Sequence, residues 1–240
     1  MSVCIVIPAR LGSTRLSEKV LAPINGKPMI QHVYERTQKV RGVDLILVAT
    51  DNQKIVDVVE GFGGKAVMTP EALNSGTDRV AFVASARDED IFINVQGDEP
   101  MLDPQAVQDS LELVRSKRFV MATPAARLRS EEDLRNPNVV KVLVRKDGAA
   151  VYFSRYPIPY SRVQPTGSEF SCLHHLGVYV YTKETLLAFS KLPRTQWEVS
   201  ESLEQLRAVY HGIPIGIAEV ETASRGVDTA EDLEFVRQNL

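Results

Sequence analysis

Residues 3–19 read VCIVIPARLGSTRLSEK. Residues 3–7 are apolar and mostly β-branched, as expected of a strand buried on both faces. Pro8 has no N–H to give and is expected to end the ladder there. Small residues follow, Ala9, Gly12, Ser13 and Thr14, interleaved with Arg10, Arg15 and Lys19. Small side chains let backbone amides approach a ligand, and three cations on one short loop repel unless an anion sits among them. A solvated basic loop has the same composition. The position decides for a phosphate cradle, because the crevice after a strand of an open α/β sheet is where ligands bind.

Charge is distributed unevenly. Residues 1–40 carry six Lys/Arg (Arg10, Arg15, Lys19, Lys27, Arg36, Lys39) against Glu18 and Glu35, a balance of +4. The whole chain of 240 residues stands at −3, so the remainder carries −7. A local positive field on an acidic body suits a small polyanion; a nucleic-acid track needs a longer basic stripe. The length fits one α/β domain, residues 1–240, and the 44% apolar content allows a sizeable core. No apolar run reaches the length of a membrane span and no signal peptide is evident, so membrane insertion is not expected. Cys4 and Cys172 lie far apart, Cys4 within a buried strand, which fits a reducing cytoplasm better than a disulfide framework.

Along the chain, Asn25-Gly26 predicts a turn and Pro28 the first position of a helix. Residues 45–49 read as the second strand, and Asp51-Asn52 cap an amphipathic helix. GFGG at 61–64 follows a helix and not a strand, so it reads as a helix stop and excludes a dinucleotide fingerprint. Gly26-Lys27 is no P-loop, since Pro28 stands where Ser/Thr would hold magnesium. SGTDR at 75–79 predicts a capped helix start, which is also a donor-rich site for a base or phosphate. IFINVQGDEP at 91–100 predicts a buried strand whose carboxyl end presents Asp98 to the crevice of Arg10 and Lys19. A carboxylate beside a triphosphate fits a Mg²⁺ ion between them. Asp103-Pro104 cap a further helix, and residues 119–123 read as a strand. From about residue 138 to 182 the βαβ spacing is lost: a hairpin at Asp147-Gly148, scattered prolines and a strand at 173–181 predict an antiparallel excursion. Asp228 reads as the N-cap of a last helix over 231–239.

Five stretches, IPARLGSTRLSEK, SGTDR, VQGDEP, HLGVY and GVDTAEDL, occur in the order in which they resemble the sugar-activating cytidylyltransferases, in particular the 3-deoxy-manno-octulosonate (KDO) cytidylyltransferase family. One departure is Ser17-Glu18, where that family usually carries Pro-Gly. The resemblance implies a Rossmann-like nucleotidyltransferase fold and the transfer of CMP from CTP to KDO for lipopolysaccharide synthesis. It implies a homodimer formed largely through the 138–182 excursion. It implies CTP contacts at Pro8, Ala9, Arg10, Ser13, Arg15, Lys19, Ser75, Gly76, Gln96 and Asp98, with Arg10, Lys19 and Asp98 carrying the catalysis. Asp98 and Asp228 would be the Mg²⁺ ligands, with Glu99 in support. Arg79, Gln96, Arg155, His175, Tyr179, Glu204 and Gln205 would meet the sugar, Arg155 as a bidentate clasp on its carboxylate. On the residues alone, Glu204 and Gln205 read as a solvated helix face, and His174 as structural. Two other functions remain open: a cytidylyltransferase for another acidic sugar, such as a sialic acid or an 8-amino KDO analogue, and a catalytically silent nucleotide-sugar binding subunit.

Overall fold

In the computed structural model, residues 1–12, 18–162 and 170–240 are described. Strand β1 (Val3–Ala9) is wholly buried. Its odd residues Val3, Ile5 and Ile7 join one apolar core and its even residues Cys4 and Val6 the other. A strand with two buried faces must be covered by helices on both sides, and that sets a three-layer α/β/α arrangement. A hairpin of β2 (Pro23–Ile24) and β3 (Lys27–Pro28) turns through Asn25 and Gly26, both at positive φ, and leads into α1 (Met29–Thr37). There follow β4 (Leu45–Thr50), α2 (Gln53–Gly61), β5 (Ala66–Met68), α3 (Gly76–Ser85), β6 (Ile91–Asn94), α4 (Pro104–Arg115) and β7 (Met121–Arg127). Then come α5 (Glu131–Arg135), β8 (Lys141–Val144), β9 (Ala150–Ser154), β10 (Leu173–His175) and β11 (Tyr179–Thr182). The chain ends with α6 (Lys183–Phe189), α7 (Gln196–Glu201), α8 (Leu206–Tyr210), β12 (Ile215–Val220) and α9 (Ala230–Asn239). No helix among the described residues is long and apolar enough to cross a membrane.

The strands form one ten-stranded sheet in the order β5-β4-β1-β6-β11-β7-β10-β8-β9, with β12 on the other edge of β7. β5, β4, β1 and β6 run parallel, as do β7 and β12. Pro8 does not end β1, which stays in register with β4 as far as Ala9–Thr50. In a parallel ladder one residue turns both its polar groups to the same neighbour, and Val6 gives its carbonyl to Val95 on the β6 side. Pro8, two residues on, therefore turns its missing N–H to the side where β6 has already stopped.

The strands of 138–182 are antiparallel, yet they do not leave the main sheet. β11 is inserted at its centre, between β6 and β7. The strand expected over 173–181 is broken in two. β10 lies along residues 125–127 of β7 and β11 along 121–122, while their other edges face β8 and β6 respectively. Between them the chain leaves the ladder through a tight turn, the Val178 N–H donating to the Leu176 carbonyl at 2.9 Å. The sheet thus forks at Gly177, and the fork opens a cleft on the carboxyl side of β6.

Candidate active site

Two cavities meet at this fork. The smaller, about 340 Å³, lies beyond the carboxyl ends of β1 and β6. Of the expected nucleotide contacts, Pro8, Ala9, Arg10 and Lys19 line it from the β1 side. Ser75 and Gly76 line it from the start of α3, and Gln96 and Asp98 from the turn after β6. Ser13 and Arg15 lie outside the described residues. The α3 N-terminus is fixed by a capping box, in which the Ser75 hydroxyl accepts from the Asp78 N–H and the Asp78 carboxylate from the Ser75 N–H. Gly76 lets that terminus close on the loop, since a Cβ there would stand 3.2 Å from the Pro8 ring.

Lys19 is the centre of the crevice. Its Nζ donates to Asp98 Oδ2 at 2.6 Å, to the Val227 carbonyl at 2.8 Å and to Asp228 Oδ1 at 3.3 Å. Burial opposes its charge, but Asp98 and Asp228 outweigh burial and hold its pKa above the ordinary lysine value. Asp228 is not the N-cap of α9. Thr229 takes that place through a capping box with Asp232, which leaves the Asp228 carboxylate to turn to Lys19. The loop before α9 sits close on the β6 turn: Val227 N–H donates to the Asp98 carbonyl, and a Cβ on Gly226 would lie 2.8 Å from Glu99 Oε1. Burial, then the charge of Asp98, pushes Glu99 up to about 8. Glu99 accepts from the Ser224 hydroxyl behind the two aspartates. Two carboxylates converging on one cationic point fit a hard cation that takes its remaining ligands from phosphate and water. No cluster of three or more His, Cys, Asp or Glu among the described residues would hold a metal by protein ligands alone.

The larger cavity, about 2100 Å³, occupies the fork. It shares Ser75, Gly76, Gln96 and Asp228 with the smaller one. The residues expected at the sugar, His175, Tyr179, Glu204, Gln205 and Arg155, all line it. Burial lowers the His175 pKa to about 3, so its ring is neutral. Thr123 has one hydroxyl proton and faces the carbonyls of Leu176 and Val178, so the His175 Nε2, 3.1 Å away, is the protonated ring nitrogen and donates to Thr123. Burial also keeps the Tyr179 and Tyr181 hydroxyls protonated.

Two arginines of the site are already held by protein groups. Arg79, expected at the sugar, lines the smaller cavity and not the larger, and its guanidinium is held by Asp51 at 2.7 Å and by Thr69. It is a buried strut between α3 and the β4 end. Arg155 donates to the carbonyls of Glu201 (2.8 Å), Pro137 (2.9 Å) and Ser202 (3.4 Å). Three of its five donors bind the cleft wall, so a clasp on a carboxylate has two left. Glu204 and Gln205 do not form a helix face; they stand in the break between α7 and α8, after Ser202 at φ 52°.

Several residues of the cleft escape a reading by motif. Thr77 donates to Glu204 Oε2, and the Glu198–Arg207 pair lies buried alongside. Thr77 stands inside SGTDR, and Arg207 lies three residues after Glu204, which is the spacing of helical neighbours. Lys141 is fully buried and donates to the carbonyls of Asn136, Val139 and Arg155, which ties the loops of the cleft rim together. Nothing in its strand pattern marks it.

Comparison with known proteins gives one consistent family. The cytidylyltransferase family profile matches residues 4–217. A 3-deoxy-manno-octulosonate cytidylyltransferase of Geotalea daltonii is 43% identical, the match covering 100% of this chain and 98% of the relative. An 8-amino-3,8-dideoxy-manno-octulosonate cytidylyltransferase of Shewanella halifaxensis is also 43% identical, covering 100% and 99%. Among solved structures, CMP:2-keto-3-deoxy-manno-octonic acid synthetase in complex with CTP superposes with a TM-score of 0.94 at 44% identity, covering 100% and 98%.

Proposed function

This chain belongs to the 3-deoxy-manno-octulosonate cytidylyltransferase family, and on that premise we propose that it transfers CMP from CTP to KDO, giving CMP-KDO and pyrophosphate. The observation that carries the assignment of roles is the common wall of the two cavities, Ser75, Gly76, Gln96 and Asp228. One cavity takes the nucleotide, the other the sugar, and the reacting atoms meet at the wall. The anomeric hydroxyl of KDO attacks the α-phosphorus in line, and pyrophosphate leaves.

Catalysis is then positioning and charge stabilisation. Arg10 and Lys19 offset charge on the phosphates, and Ser75 and Gly76 orient the nucleotide at the α3 N-terminus. Asp98 and Asp228 would hold Mg²⁺, which would supply further charge neutralisation and lower the pKa of the attacking hydroxyl. On the sugar side, the two remaining N–H groups of Arg155 face the carboxylate. Tyr179 and Glu204 bind hydroxyls, and neutral His175 contributes shape and not charge.

A second copy of the chain is the natural cover for the edge strand β9. Val151 on that edge, Trp197 and Tyr210 are 46%, 43% and 55% exposed, and the two aromatic rings pack edge to face 5.3 Å apart. Both cysteines are free and buried, which fits a reducing cytoplasm, where CMP-KDO would enter lipopolysaccharide assembly. Incubation of the protein with each nucleoside triphosphate in turn, KDO and Mg²⁺, with pyrophosphate as readout, tests the reaction. Release with CTP alone among the nucleotides, and only with KDO present, is the expected result.

A further inference from the structure

Glu204 stands in a helix break, where no backbone ladder fixes its side chain, yet both of its carboxylate oxygens are held. Oε2 accepts from the Thr77 hydroxyl, and Oε1 lies 3.5 Å from Arg207 Nη2. Arg207 is itself anchored. Its Nε and Nη2 donate to the two oxygens of Glu198 at 2.8 and 2.6 Å, and its guanidinium lies 5.1 Å from the centre of the Phe189 ring. Glu198 is anchored in turn by the capping box with Thr195 that starts α7. The side chains of Arg207 and Glu198 are 8% and 4% exposed, so the pair is built into the floor of the cleft.

We propose that Thr77 and Arg207 are the positioning residues of Glu204, aiming its unused lone pairs at the sugar hydroxyls. The proposal rests on the reading of Glu204 as a sugar contact. A glutamate has three side-chain torsions, and locking them before the substrate arrives removes an entropic cost from binding. Thr77 suits the task because it projects from the same first turn of α3 whose Ser75 and Gly76 face the nucleotide crevice. One helix start therefore contacts the nucleotide with one side and sets the sugar's hydrogen-bond acceptor with the other.

The test uses the full-length enzyme and measures KM for KDO at saturating CTP and KM for CTP at saturating KDO. Thr77→Val keeps the shape and removes the donor. It raises KM for KDO about tenfold, the scale of a hydrogen bond to a charged group, and leaves KM for CTP within about twofold. Thr77→Ser restores the wild-type value. Arg207→Lys keeps a charge beside Glu198 and shifts KM in the same selective way. Combined with Glu204→Gln, Thr77→Val adds no further loss, because the group it aims is already changed. Equal increases in both KM values would make Thr77 a general prop of α3 and overturn the proposal. So would an unchanged KM for KDO in Thr77→Val while Glu204→Gln raises it, an outcome that leaves the sugar contact standing. An unchanged KM for KDO in Glu204→Gln itself would remove the contact, and the positioning with it.

Discussion

Lys19 and Asp98 stand 79 positions apart in the chain and meet at 2.6 Å, while Asp228 closes on the same nitrogen at 3.3 Å. One ammonium is shared by two carboxylates, so the cluster retains negative charge for a divalent cation. Removing either carboxylate leaves Lys19 with the other and with the Val227 carbonyl, and the fold has no reason to change. Asp98→Asn or Asp228→Asn is therefore expected to lower kcat by about 10²-fold or more, the scale of lost electrostatic stabilisation. Initial rates across a Mg²⁺ titration, with circular dichroism as the fold control, check this. Near-normal rates at limiting Mg²⁺ would remove both residues from the metal site.

Lys19 is expected to act on charge that grows as pyrophosphate departs. Lys19→Ala should then reduce kcat more than it raises KM for CTP. An intact kcat with weaker CTP binding would make it a docking cation only.

Selection among acidic sugars falls to the far end of the substrate. Every rival sugar carries the carboxylate that Arg155 would meet, and a relative that uses an 8-amino sugar is as similar in sequence as one that uses KDO. A site of paired hydrogen bonds rejects ligands that leave a buried group unpaired, by as much as about 10⁴-fold. Efficient turnover of KDO is expected, and turnover of its 8-amino analogue as well, since its ammonium would face the carboxylate of Glu204. N-acetylneuraminate, with its bulky acetamido arm, should give almost none. Comparison of kcat/KM for the three at saturating CTP is the measurement, and a preference for N-acetylneuraminate would refute the assignment.

His175 gives a pH prediction that does not involve activity. Its pKa falls from 6.5 to about 3 on folding, so between those values the unfolded chain binds a proton that the folded one does not. Stability from this group is complete above pH 6.5 and is lost as pH falls towards 3, with a slope of up to about 1.4 kcal/mol per pH unit. His175→Gln keeps a donor for Thr123 and cannot titrate in this range. Urea unfolding at pH 7, 6, 5 and 4 should give a shallower acid limb for the variant. Parallel limbs would mean that the native state accommodates a charged ring.

The parts of the fold that were legible in the sequence are those set by local burial. β1, β4 and β6 are short apolar runs because helices cover both their faces, and the Ser75, Asn52 and Asp103 caps lie where the polar side chains predicted them. The last helix is capped one residue beyond Asp228, at Thr229, for a definite reason. Asp228 with Glu231 and Thr229 with Asp232 both carry capping-box spacing, and only the packed loop decides between them. Arg79 and Arg155 show the same limit in the site. An arginine that clasps a ligand and one that braces the protein are identical in sequence, and the bracing partners, the Asp51 carboxylate for Arg79 and the Pro137 and Glu201 carbonyls for Arg155, are remote in the chain. The fork at Gly177 was equally hidden, since the pairing of β10 with β8 and of β11 with β6 is wholly non-local.

The central place of β11 also bears on how the protein is made. As the chain emerges from the ribosome, β6 and β7 appear early, but the strand that joins them comes more than fifty residues after β7 ends. Until then both present bare edges to water, the kind of surface on which β-chains associate wrongly. Synthesis halted before residue 182 should accordingly yield insoluble fragments, not a half-sized domain: the gap closes only when β11 slots between its two waiting neighbours, and the far edge of β7 waits longer still, for β12.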